Sequence, residues 1–181
     1  MKSVLISIQP KWCELIASGK KTVEVRKTKP KLETPFKCYI YETKGKLKWC
    51  NKCQDTDCVR PYPNCACHEG WGKVIGEFVC DYMNYYTSNC TVFESVLLPS
   101  PTDLEEMCLT LEELNAYGTR GKLLYGWHIS DLVIYEKPRE LSEFRSYNVN
   151  TYIDENGYPM PTHEIKRPFQ SWGYVESEDE R

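Results

Sequence analysis

The chain has 181 residues, 41% of them hydrophobic and 27% charged, with a net charge of −3. That is the profile of a globular protein large enough to bury a core within one elaborated domain. No apolar run approaches the roughly eighteen residues that a membrane-spanning helix needs, and Met1–Pro10 lacks a signal peptide's apolar block and cleavage site, so a cytoplasmic location is expected.

Met1 to Pro10 alternates as a strand does. A helix is predicted from about Pro10, where proline suits the first turn, to Ser18, with Gly19 as its C-terminal cap. Trp12, Leu15 and Ile16 form an apolar stripe on that helix and are expected in the core. A second strand follows. Because side chains alternate along a strand, Thr22, Glu24 and Arg26 share one face, and Val23 and Val25 take the other. Phe36–Thr43 alternates Phe36, Cys38 and Ile40 with Lys37, Tyr39 and Tyr41 and reads as a strand; Lys73–Asp81 reads likewise. Thr110-Leu111-Glu112-Glu113 is a capping box opening a helix through Tyr117, which Gly118 can end. Leu123–Tyr135 is predicted as a strand, Pro138–Phe144 as a short helix and Ser146–Lys166 as a loop. A final strand is expected around Pro168–Val175, before an acidic tail at Glu176–Arg181. Several strands with two or three short helices indicate an α+β fold and suggest a small β-barrel.

The second strand gathers chemistry. Lys20 and Lys21 stand at its mouth, and Glu24 and Arg26 lie on one face. This spacing equally fits an ordinary solvated face with a weak ion pair. The charge distribution bears on the choice. Residues 1–60 carry fourteen Lys/Arg against six Asp/Glu, and eleven of the basic residues fall between Lys20 and Lys52. A basic segment in an otherwise acidic protein suits a polyanion, since neutralised phosphates release counterions; the plainer reading is a surface kept soluble by lysines.

Five of the ten cysteines crowd into residues 44–72, at Cys50, Cys53, Cys58, Cys65 and Cys67, followed by His68. Cys50-x₂-Cys53 has the spacing that closes two thiolates on one tetrahedral zinc, and Cys65 and Cys67 can complete it, with Cys58 or His68 able to substitute. The segment has almost nothing to make a core, and a zinc ion can supply the missing folding free energy. A structural Zn²⁺ site is therefore expected. A disulfide-stapled loop and a loop of idle thiols are the alternatives, the first disfavoured by a reducing compartment.

Gly19-Lys20-Lys21-Thr22-Val23-Glu24-Val25-Arg26 resembles the Gly-x-Lys-x-x-Glu-x-Arg motif of ASCH domains, relatives of the PUA RNA-binding domains. The lead-in Ser7-Ile8-Gln9-Pro10-Lys11-Trp12 and the strand Tyr125-Gly126-Trp127-His128-Ile129-Ser130-Asp131-Leu132 match as well. The resemblance spans roughly residues 3–43 and 73–144. It implies a PUA-like barrel over residues 1–145, interrupted by the cysteine-rich insertion at 44–72 and followed by an extension at 146–181. It also implies a cleft for RNA or a modified nucleotide, walled by Lys20, Lys21, Thr22, Glu24 and Arg26. Tyr41 and Trp127 are candidate stacking surfaces, with core or rim packing as the competing reading.

One ASCH branch hydrolyses acetylated cytidine with a Lys, a Thr and a Glu. Carried over position by position, the lysine falls on Lys21, the threonine on Glu24 and the acid on Met107. Two of the three groups are thus replaced. Lys21 and Glu24 remain as candidate catalytic residues for acid–base work on another substrate. A ribonuclease, with Lys20, Lys21 and Arg26 stabilising a pentavalent phosphate, is the third possibility.

Overall fold

The computed structural model describes residues 2–44, 72–87, 98–120, 122–147 and 162–176. Strand β1 (Lys2–Ile8) carries a nearly continuous buried run, Val4, Leu5, Ile6 and Ile8. Both of its faces are covered, which is why it reads as a run and not as a clean alternation. It lies between β3 (Phe36–Glu42), its parallel partner, and β10 (Trp172–Glu176), its antiparallel one. With β4 (Lys73–Cys80), β7 (Ser130–Arg139), β8 (Arg145–Tyr147) and β9 (Thr162–Glu164), these form a seven-stranded sheet in the order β7-β4-β3-β1-β10-β8-β9. A second sheet has the order β2-β6-β5, from β2 (Val23–Arg26), β6 (Leu123–His128) and β5 (Met83–Thr87).

Two chain segments pass from one sheet to the other. β4 leads through Asp81 and Tyr82 into β5, and β6 leads through Ile129 into β7, with Asp131 at φ 46°. The corner is tied together by the His128 N–H donating to the Tyr82 carbonyl at 3.1 Å, by stacking of the Tyr82 and His128 rings at 4.3 Å, and by a 2.7 Å contact between His128 Nδ1 and Asp81. The strand predicted over Leu123–Tyr135 is therefore two strands that meet at this bend. The helix predicted over Pro138–Phe144 shrinks to one 3₁₀ turn at Leu141–Glu143, because Pro138 and Arg139 still belong to β7, with Arg139 paired to Val74. An edge strand tolerates proline, as its missing N–H breaks no ladder bond. The α+β class stands. Among the described residues, however, the ladders form two separate sheets and do not close into the expected barrel.

Three helices complete the fold. In α1 (Pro10–Ala17), proline occupies the first turn. Its end is a Schellman motif, in which Gly19 N–H donates to the Ile16 carbonyl and Lys20 N–H to the Leu15 carbonyl, with Gly19 at φ 71°. Helices α2 (Pro101–Met107) and α3 (Leu111–Tyr117) each start with a capping box, Ser100 with Asp103 and Thr110 with Glu113. They cover the small sheet, where Val23, Val25, Tyr86, Met107, Leu114 and Leu124 form one core cluster. The main core lies between the sheets and includes Ile6, Ile16, Phe36, Ile40, Phe78 and Trp127. No helix among the described residues is long and apolar enough to cross a membrane.

Candidate functional site

The turn that ends α1 turns the chain sharply and delivers Lys21 to the inside of the molecule. Its Nζ donates to the Met107 carbonyl at 2.6 Å and stands 3.5 Å from a Glu24 oxygen. Two residues further along β2, Arg26 sends Nη2 to the other Glu24 oxygen at 3.0 Å and to the Ser7 carbonyl at 2.7 Å. Its Nη1 approaches the Ser171 hydroxyl at 3.5 Å. Lys21, Glu24 and Arg26 are 3%, 6% and 8% exposed. This is a buried ionic triad, not a solvated strand face. Two cations share one carboxylate, so the three side chains sum to one positive charge, and the Glu113 carboxylate lines the same cleft. Burial pulls the Lys21 ammonium below the usual lysine range, opposed chiefly by the Glu24 carboxylate. The Nε of Arg26 is buried and has no hydrogen-bond partner among the described residues.

The triad forms the floor of a cleft of about 510 Å³. Trp12 of α1 and Tyr117 of α3 line it, and Gln9, Glu113 and Gln170 add polar groups. Lys21 Nζ sits 5.1 Å from the Trp12 ring centroid. The half-buried Trp12, expected only in the core, thus also serves the cleft. Burial pushes the Tyr117 hydroxyl above its usual pKa, which keeps it neutral.

Of the residues singled out from the sequence, Lys21, Glu24 and Arg26 come together at the cleft. Lys20 does not line the cleft and is exposed, its carbonyl accepting from the Cys108 thiol at 3.3 Å. Thr22 gives its backbone to ladder-like bonds with Glu106 and Ile129 and is likewise absent from the cleft. The two proposed stacking residues lie elsewhere. Tyr41 is 5% exposed in the cluster with Leu5, Tyr39 and Phe144, on the other side of the large sheet from the main core. Trp127 is fully buried, edge-on to Phe36 at 5.7 Å, so neither presents a surface for a base. The Met107 position, where the resemblance would put an acid, contributes its carbonyl oxygen to Lys21 instead.

Cys50, Cys53, Cys58, Cys65, Cys67 and His68 lie outside the described residues. Among those described, no group of three or more His, Cys, Asp or Glu side chains could hold a metal ion.

A protein-family model described as the ASCH domain matches residues 6–141. No curated protein matches the chain. Among solved structures, the chain is similar to an ASCH protein from Zymomonas mobilis, at 18% identity and a TM-score of 0.55, over 98% of this chain and 90% of that one. A point mutant of the Zymomonas mobilis protein gives the same identity and TM-score, over 98% and 91%.

Proposed function

The chain belongs to the ASCH domain family, and on that premise we propose that it binds RNA, or a nucleotide unit of RNA, in the cleft above Lys21, Glu24 and Arg26. The observation that carries this reading is a buried ionic triad of net positive charge on the floor of a cleft walled by Trp12 and Tyr117. An aromatic wall suits a base, because every base offers a π face. The excess positive charge suits a phosphate. Gln9, Gln170 and Glu113 supply donors and acceptors for a base edge.

Binding fits the geometry better than bond cleavage does. Lys21 spends its protons on the Met107 carbonyl and on Glu24, and Glu24 is engaged by two cations. A general base needs a free lone pair aimed at substrate. Fluorescence anisotropy with a labelled 12-nucleotide RNA of mixed sequence tests the proposal, while gels watch the same RNA for cleavage. The expected result is binding that falls steeply between about 50 and 200 mM salt, with the RNA intact. Absence of binding at the low-salt end overturns it.

The structural zinc expected at Cys50, Cys53, Cys65 and Cys67 is proposed on spacing alone. Elemental analysis of the purified protein is expected to give one zinc per chain, with four thiols shielded from a thiol reagent until a chelator is added. A metal-free protein with all ten cysteines reactive on unfolding would remove the claim.

A further inference from the structure

The loop between β2 and β3 leaves the cleft at Arg26 and carries Lys27, Lys29 and Lys31, all exposed. None of the three forms an ion pair among the described residues. The loop is nevertheless pinned to the body. The Trp172 indole N–H donates to Thr28 Oγ1 at 3.0 Å, the Lys31 backbone N–H donates to the Tyr174 hydroxyl at 2.6 Å, and Lys29 Nζ donates to the Tyr85 hydroxyl at 3.1 Å. Lys27 Nζ lies 4.9 Å from the ring centroid of Tyr117, and Lys29 Nζ lies 5.1 and 5.9 Å from those of Tyr85 and Tyr125. Lys27 Nζ therefore stands at an aromatic wall of the cleft and Lys29 Nζ over the Tyr85–Tyr125 pair, and Lys31 follows two residues further along the same loop. Tyr85 still keeps 39% of its surface exposed.

The cleft has a direction as well. Along α3, Glu113 and Tyr117 both line it, separated by one helical turn, about 6 Å. At the Glu113 end the carboxylate accepts from the Thr110 N–H and is offset by the Lys11 charge. At the Tyr117 end Lys27 forms no ion pair among the described residues, so an adjoining phosphate is favoured on the Lys27 side. We infer that the occupant of the cleft is one nucleotide of a single RNA strand, whose adjoining phosphates run along Lys27, Lys29 and Lys31 and whose next base stacks against Tyr85. This rests on the cleft reading above and extends it from a nucleotide pocket to a strand track. Because the loop is already held in place, little ordering cost is added on binding.

The test uses the full-length protein and the same labelled 12-nucleotide RNA across a salt series. Replacing Lys27, Lys29 and Lys31 together with alanine is expected to flatten the plot of log affinity against log salt by about two units, near 0.7 for each phosphate released. Tyr85→Ala is expected to weaken binding by about fivefold to a hundredfold. The three lysines are exposed, so the triple variant should melt close to the native temperature, and Tyr85→Phe, which keeps the ring against Tyr125, separates lost stacking from lost packing. An unchanged slope and affinity in the triple variant overturns the track, and does so equally if that variant instead loses binding to poly-glutamate, which would assign the loop to an acidic polypeptide. Trp12→Ala separates the two claims. If it alone weakens binding, the cleft stands and the track falls; if the lysines alone matter, the track stands without the cleft.

Discussion

Replacing Glu24 with alanine is expected to lower the unfolding free energy by about 3–5 kcal/mol, because it strands two cations in the interior without a counter-charge. Lys21 and Arg26 are only 3% and 8% exposed, so water cannot take the place of the carboxylate without opening the cleft. The loss carries a pH signature. Burial already pulls the Lys21 pKa down, and Glu24 is the largest influence holding it up. Without Glu24 the folded-state pKa drops further below its unfolded value near 10.5. Between those two values the unfolded chain binds more protons than the folded one, so stability rises with pH across that window. The deficit of Glu24→Ala relative to the native chain should therefore narrow from about pH 7 towards pH 10, without closing, since Arg26 stays charged throughout. Urea unfolding at several pH values measures this. Glu24→Gln keeps an acceptor for one of the two cations and should fall between. An alanine variant as stable as the native chain at neutral pH would mean the triad is not the buried cluster described here.

Much of this site was legible because its residues follow one another along the chain. Glu24 and Arg26 are two apart on a strand, a period-two relation that sequence displays directly. Gly19 marked the turn that aims Lys21, and the structure returns a Schellman motif there. The opposite wall was not legible. Tyr117 and Gln170 reach the cleft from α3 and from the approach to β10, roughly 90 and 140 positions away from β2 along the chain. Helix α2 carries a readable signal in Ser100-Pro101-Thr102-Asp103, a capped start with proline in the first turn. The corner at His128–Asp131 was hidden for a different reason. β6 and β7 both have strand composition, and only the pairing of Tyr82 with His128 shows where one sheet hands over to the other. Trp12 misled because an amphipathic stripe says which face turns inward, not whether that interior is filled.

Trp12 lines the cleft while Trp127 fills the core, the packing reading that competed with stacking for Trp127, and substitution should separate the two. Trp127→Ala is expected to cost about 3–5 kcal/mol, since it empties a large, fully buried site at the junction of the two sheets. Its ring packs edge-on to Phe36 at 5.7 Å and tilted against Trp172 at 6.0 Å, so both neighbours lose a partner. A loss of that size is a large fraction of a domain's whole stability, and any fall in RNA affinity should track the unfolded fraction. Trp12→Ala should do the reverse. It removes an aromatic wall of the cleft and the ring beside Lys21, weakening RNA binding by about fivefold to a hundredfold. The half-buried position of Trp12 limits the accompanying loss of stability. Thermal melts and anisotropy on the same two variants decide the matter. A Trp127→Ala protein that melts normally yet fails to bind would return that residue to the ligand, and a Trp12→Ala protein with native affinity would leave the cleft without its stacking wall.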